Sequence, residues 1–367
     1  MKTKKMRYVW FLVILCIFCL TLFLARTRSK VEMRNRIYHQ WNEHFVVSKG
    51  KESYVRTTND SNQTVVLSEA QSYGMLITVA AAEKGQAQQA DFDRLYHYYL
   101  NHRLEDTQLM SWKQTISNGK AKDEDHNATD GDLYIAYALL KAAQQWPKQA
   151  KDYQAQAEAI LEDILAHNYN EETGVLTVGN WANQDSEFYH LMRTSDTLPA
   201  QFQIFYEVTK DSKWLDIKEK MLQQLQTISS QTKTGLLPDF IWVDEQGTRV
   251  ADPKTIESKY DGAYSYNACR LPYNLVQSKD KTSQKLVKKM LNFFKSQRNL
   301  YAGYDLKGKA LNNHQAASFL APIVYASEHE KGYLKLVQQN KYIFTQDLPL
   351  NNYYDATMTT MIALELF

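Results

Sequence analysis

Two short segments of this chain place carboxylates at the starts of helices, where an acid can be turned toward a cleft. The first, Ala128-Thr129-Asp130-Gly131-Asp132-Leu133, opens a long amphipathic stretch closed by Trp146. Thr129 and Asp132 have capping-box spacing, which sets Asp130 at the very start of a helix, beside a flexible glycine. The second, Ser68-Glu69-Ala70-Gln71-Ser72-Tyr73-Gly74-Met75, repeats the arrangement. Ser68 and Gln71 have the same spacing, Glu69 falls in the first turn, and Tyr73 lies one turn along on the same face. Carboxylates presented in this way can exchange protons with a ligand or hold its polar groups. A lone D-G-D is more often a plain helix cap, so spacing by itself leaves both readings open. Other chemistries find less footing. The nine histidines form neither an H-E-x-x-H motif nor a Cys/His cluster, and no phosphate-binding or dinucleotide glycine motif is present. No metal and no cofactor are expected.

The whole segment from Ala128 to Trp146 resembles the signature of glycoside hydrolase family 8. The S-E-x-Q-S-Y-G-M element around Glu69 is similar to that family's second hallmark. Echoes continue at Trp112-Lys113, at Gly235-Leu236-Leu237-Pro238-Asp239, and at Tyr264-Ser265-Tyr266-Asn267-Ala268-Cys269-Arg270-Leu271-Pro272. The resemblance runs from about Arg34 to the C-terminus. It implies an inverting hydrolase with Glu69 as general acid and Asp130 holding the sugar at the point of cleavage. Inversion needs a second carboxylate, roughly 6.5–9.5 Å from the first, to activate a water. Here the chain departs from the pattern, because many members carry aspartate where this sequence has Asn267, and an amide is no base. Three acids remain as candidates: Asp239 first, then Asp261, then Asp196 before Pro199. Each also reads as a turn or cap residue. The resemblance further implies groove contacts from Tyr73, Trp112, Tyr266, Asn267 and Arg270. For Trp181 and Trp242 a structural role is as good a reading as a binding one, whereas Trp146 and Trp214 look like core. One physical objection stands against Glu69. A helix N-terminus favours the ionised carboxylate, so burial or a neighbouring acid must outweigh the dipole.

The elements that must position these residues are helical. Periodicity predicts helices near 31–46, 69–84, 88–102, 130–146, 149–166, 198–209, 212–230, 264–278, 282–296, 313–326, 328–338 and 352–366. Several are paired by short turns, and six such hairpins make an all-α (α/α)6 toroid, the fold the resemblance also implies. A two-domain helical protein is the alternative, but no Pro/Gly/Ser-rich linker divides the chain. If the inner helices run parallel, their N-termini gather at one rim, and Glu69 and Asp130 face each other there. The long irregular stretches 103–129, 168–197 and 231–263 are expected to wall a groove.

Composition sets the remaining bounds. Seven of the 43 Lys and Arg residues lie within the first 30 positions, with no acid among them, so the rest of the chain carries 36 bases against 41 acids. That mildly acidic remainder argues against a nucleic-acid partner. Tyr8 to Ala25 are eighteen consecutive uncharged residues, reaching about 27 Å as a helix and flanked by Lys and Arg on both sides. No small-x-small pattern marks a cleavage site, so residues 1–30 read as a cytoplasmic tip and transmembrane anchor. Residues 31–367 then form one extracellular domain, expected to be monomeric. Only Cys269 lies outside the span, so no intramolecular disulfide can brace it. The resemblance implies an endo-acting hydrolase of a β-1,4-linked polysaccharide, and the expected membrane anchor places it best to act on a bacterial exopolysaccharide or biofilm polymer. The rival is a non-catalytic polysaccharide-binding or synthesis-accessory protein that lost its base at Asn267.

Overall fold

The computed structural model describes residues 2–58, 60 and 63–367. Met1, in the expected cytoplasmic tip, lies outside the described residues. Twelve α-helices occur among them: Lys2–Phe45 (α1), Ser68–Glu83 (α2), Gln89–Asn101 (α3), Thr129–Gln145 (α4), Ala150–His167 (α5), Pro199–Thr209 (α6), Lys213–Ser230 (α7), Leu271–Val276 (α8), Lys281–Ser296 (α9), Ala317–His329 (α10), Leu334–Asn340 (α11) and Tyr353–Leu366 (α12). The even-numbered helices form an inner ring. In it α2 packs against α4 and α12, α10 against α8 and α12, and α6 against α8. The 3-10 turn Thr194–Asp196 bridges α4 to α8. The odd-numbered helices lie outside, each against an inner partner. This is the (α/α)6 toroid.

Sequence explains the two rings. Inner helices are enclosed on all sides, so α2, α4 and α12 bury small and apolar residues around most of their circumference. Outer helices bury one stripe; α9 hides Leu286, Val287, Met290, Leu291 and Phe294 and turns Lys281, Lys285, Lys288 and Lys295 outward. Two inner positions require glycine for close approach. A Cβ on Gly74 would strike Val55, and one on Gly131 would strike the Ser68 side chain. Gly131 therefore lets the first turns of α2 and α4 touch.

Neither expected capping box forms. Leu67 and Ala128 occupy the N-cap positions. Gln71 instead accepts from Val55 N and donates to the carbonyls of Ser53 and Leu95. Asp132 accepts from Met110 N and Asn127 Nδ2, and Thr129 donates to Thr177 O. Deep burial gives these side chains tertiary partners that must be satisfied, and those displace the local cap.

Small antiparallel sheets were not foreseen. One joins Thr64–Leu67, Lys113–Ser117 and Lys120–Asp123, with Leu67 opposite Lys113. Another joins Leu191–Arg193, Phe240–Asp244 and Gly247–Val250, with Arg193 opposite Phe240. All their strands but Thr64–Leu67 arise inside the predicted loop walls, and Thr64–Leu67 leads directly into α2. The expected helix 264–278 is also shorter. Its first residues are extended, with Tyr264 bridged to Tyr304, and helix proper begins at Leu271 after the 3-10 turn Ala268–Arg270.

The apolar stretch 8–25 and the first outer helix are one continuous rod, so the expected boundary at residue 30 falls inside α1. Its described side chains from Tyr8 to Leu24 are exposed, whereas Ile37, Tyr38, Trp41 and Phe45 are sealed in the core. The rod is long and apolar enough to cross a membrane.

Candidate active site

The first turns of α2 and α4 meet at the rim, and a cleft of about 360 Å³ opens above them. Its lining includes Glu69, Asp130, Glu257, Arg193 and Arg270, with Trp112, Tyr266, Tyr353 and Tyr354 supplying flat surfaces. Strand pairing brings Trp112 in. Leu67 runs straight into α2, and Ser68 N donates to Trp112 O at 2.9 Å. The Trp112 ring stacks on His126, its centroid 5.8 Å away.

Two buried arginines organise the acids. Arg270 Nη1 donates to Asp130 Oδ2 and to Tyr73 Oη, both at 3.1 Å, and lies 3.5 Å from Glu69 Oε1. Its Nη2 donates to Ser195 Oγ at 2.8 Å and to Asn267 Oδ1 at 3.1 Å. Arg193, at the end of its strand, lies 2.9 Å from Asp130 Oδ1 and 3.6 Å from Glu257 Oε1. Asp130 thus sits between two guanidinium groups. Burial alone would raise its pKa, but Arg193 and Arg270 outweigh burial and hold it below the usual carboxylate value.

Glu69 is treated differently. Its Oε1 is buried with no hydrogen-bond donor, while the side chain as a whole keeps 22% exposure to the cleft. Burial is the largest influence and raises its pKa; Arg270 opposes it, and Asp130 adds to it. The result is a carboxyl pushed up to about 7. Desolvation and the neighbouring acid therefore overcome the helix dipole, which answers the objection raised from the sequence.

The three acids named as bases are not the exposed carboxylate of this cleft. Asp239 is 3% exposed, and its Oδ1 accepts from the backbone N–H groups of Ser265, Asn267 and Ala268. Burial pushes its pKa up to about 8. Asp261 is fully buried and accepts from the N–H groups of Ile256, Glu257 and Ser258. Asp196 is also buried, 3.7 Å from Arg193, and burial pushes it up to about 7. Each is committed to holding a loop or balancing a guanidinium. Glu257 is the acid the sequence reading missed. It is 44% exposed in the cleft, and Asn267 Nδ2 donates to its Oε2 at 2.8 Å. No motif marks it; the available signal was its place in the long 231–263 stretch, four residues before Asp261.

The remaining expectations divide. Trp112, Tyr266, Asn267 and Arg270 line the cleft, Tyr266 being 43% exposed. Tyr73 does not, because it is fully buried, and its hydroxyl accepts from Arg270. Trp181 meets His126 edge-on and Phe188 beyond it, and Phe188 stacks on Trp242, so both tryptophans belong to an aromatic tract outside the cleft. Trp214 is core as expected. Tyr353 and Tyr354, at the start of α12, were not singled out from the sequence. Tyr354 Oη donates to Tyr266 O at 3.0 Å and fixes that wall.

A toroid with carboxylates in contrasting environments at the N-terminal rim of its inner helices is the architecture of a glycoside hydrolase. Comparison with known proteins agrees. The family model of glycosyl hydrolases family 8 matches residues 13–365, and the chain belongs to that family. It is 30% identical over 298 residues to a β-glucanase of Niallia circulans, covering 78% of this chain and 72% of that protein. It is also 30% identical over 275 residues to an endoglucanase of Bacillus sp. strain KSM-330, covering 71% of this chain and 58% of that one. The chain thus spans between about half and three-quarters of these relatives' length. The fold matches that of the β-1,3-1,4-glucanase from Paenibacillus sp. X4 with a TM-score of 0.82 at 24% identity, covering 93% of this chain and 92% of the other.

Proposed function

We propose that this chain is a membrane-anchored, endo-acting hydrolase of a β-1,4-linked polysaccharide that works by inversion, with Glu69 as general acid and Glu257 as general base. The carrying observation is the division of labour among three carboxylates in one cleft. Glu69 holds a proton near neutral pH, Asp130 is kept ionised by two guanidiniums, and Glu257 is open to water. A neutral Glu69 can protonate the departing glycosidic oxygen. Asp130 holds hydroxyls of the sugar at the cleavage point. Glu257, joined to Glu69 across Arg270 and Asn267, can take the proton from a water attacking the opposite face. Trp112, Tyr266, Tyr353 and Tyr354 offer planes for the C–H faces of the rings.

This arrangement removes the motive for the binding-protein reading, since Asn267 has an acid in its reach. The relatives named as β-glucanase and endoglucanase support a β-glucan backbone. The exposed apolar rod supports single-pass anchoring with the domain outside, and that setting favours an exopolysaccharide or biofilm polymer as substrate. The decisive experiment measures new reducing ends on β-1,4 polymers with wild type, E257Q and D239N. Turnover lost in E257Q, and partly restored to E257A by azide, is the expected result. A folded D239N without turnover beside an active E257Q would return the base to Asp239.

A further inference from the structure

We propose that α1 is a rigid strut that holds the cleft about 30 Å beyond the hydrocarbon layer and facing away from it, so that the enzyme cuts strands already clear of the bilayer and not glycans still attached to lipid. This rests on the reading of residues 8–25 as a membrane span and of the cleft as a hydrolase site.

The rod has no place to bend between membrane and domain. Residues 25–33 hold neither Gly nor Pro, and kinks need such a residue or an interruption of the helical ladder. Arg28 pairs with Glu32 one turn on at 2.8 Å. Docking begins at once. Lys30 lies over the Phe367 ring, Arg34 Nη1 donates to Phe367 O at 3.0 Å, and Arg36 donates to the carbonyls of Phe344 and Gln346. Farther up, Trp41 Nε1 donates to Thr357 Oγ1 at 2.9 Å, and Phe45 meets Tyr353 edge-on, with centroids 5.9 Å apart.

These contacts fix direction. Helix α12 runs antiparallel to α1, its end beside Arg34 and its start beside Phe45. That start carries Tyr353 and Tyr354 into the cleft. The catalytic rim is therefore level with Phe45, and the opposite rim faces the membrane. From Ala25 to Phe45 are twenty helical steps, or about 30 Å. Tilt shortens this little, because eighteen apolar residues reach only about 27 Å and a strongly tilted span would leave the hydrocarbon core underfilled. Headgroups fill only about 5–8 Å of that height.

The test uses the full chain in vesicles containing nickel-chelating lipid, with C16S and C19S removing the span's thiols and Cys269 kept because it is buried. A fluorophore is placed at S29C, K341C or Q184C. These are exposed positions on the rod, on the turn beside Phe344, and in the loop beyond Trp181 at the rim. Quenching by the headgroup metal is expected to fall in that order, with Q184C several-fold below K341C. Equal quenching at those two sites, or the reverse order, overturns the strut. A flexible Gly/Ser insertion between Arg28 and Ser29 is expected to erase the difference. It should also allow cutting of a short β-glucan oligosaccharide tethered to lipid, which the parent leaves intact while cutting soluble polymer in the same vesicles. Parent cleavage of the tethered sugar as fast as the soluble one overturns the substrate assignment. Extraction of the chain by carbonate overturns strut and anchor together. Inactivity on soluble polymer with the quenching order intact sustains the strut and faults only the hydrolase reading.

Discussion

Replacing Asn267 by aspartate, the residue many relatives of this family type carry there, is expected to harm this enzyme. Asn267 works as an adapter: its amide oxygen accepts from Arg270, and its amide nitrogen donates to Glu257. In N267D a carboxylate oxygen would face Glu257 Oε2 across the same 2.8 Å, with no donor between them. At an effective dielectric of ~20 two charges at that distance repel by ~6 kcal/mol. Glu257 is 44% exposed, so water screening at a dielectric of ~40–80 reduces this to ~1.5–3 kcal/mol, equivalent to ~1–2 pH units on the pair. The added charge then disfavours two ionised carboxylates side by side. The acid limb of the kcat/KM profile should move up by ~1–2 units toward the alkaline limb set by Glu69, narrowing the bell and lowering its peak by ~10-fold. N267A is the control, because it removes the positioning bond without adding charge. It should lower kcat while moving the acid limb less than N267D does. Reducing-end assays from pH 4 to 9 read both effects. An N267D enzyme faster than wild type, with its acid limb unmoved, would refute the adapter argument and put the base at position 267.

Other outcomes follow from the same geometry. E69Q should retain polymer binding and lose ~10²–10⁴-fold in turnover, read by reducing ends against affinity electrophoresis, since the departing alkoxide then has no proton donor. With Glu69 as the proposed acid its protonated form is the active one, so kcat/KM should fall as pH rises through about 7; an alkaline limb near the ordinary glutamate value would contradict the buried Oε1. G131A should lower stability by ~1–3 kcal/mol and reduce activity with it, because the new methyl drives α4 from Ser68 and separates Glu69 from Asp130; thermal unfolding beside turnover checks this. D261A should leave the N–H groups of Ile256, Glu257 and Ser258 without their acceptor, lowering stability by ~1–3 kcal/mol and loosening Glu257, which appears as a loss in kcat larger than that in KM.

The parts of this molecule that were legible in its sequence are those written locally. Helix positions follow from apolar periodicity, and the toroid follows from twelve such stretches, several joined by short turns; eight of the twelve run within one residue of the predicted limits. The placement of Glu69 and Asp130 at helix starts was legible because a first turn is visible in four or five residues. The misreadings share a cause in long-range burial. Gln71 and Asp132 have capping-box spacing but serve partners 16 to 24 residues away. Tyr73 has the right spacing to reach the groove, yet the ring of inner helices closes over it and leaves it to Arg270. Asp239 and Asp261 look like free acids in polar loops, and nothing local tells that three backbone N–H groups will converge on each. Those same bonds place Glu257. Asp239 draws in the N–H of Asn267, Asp261 draws in the N–H of Glu257, and the amide of one then meets the carboxylate of the other across the cleft. The proposed base is thus a residue with no signature of its own, placed by two buried acids that resembled it in sequence.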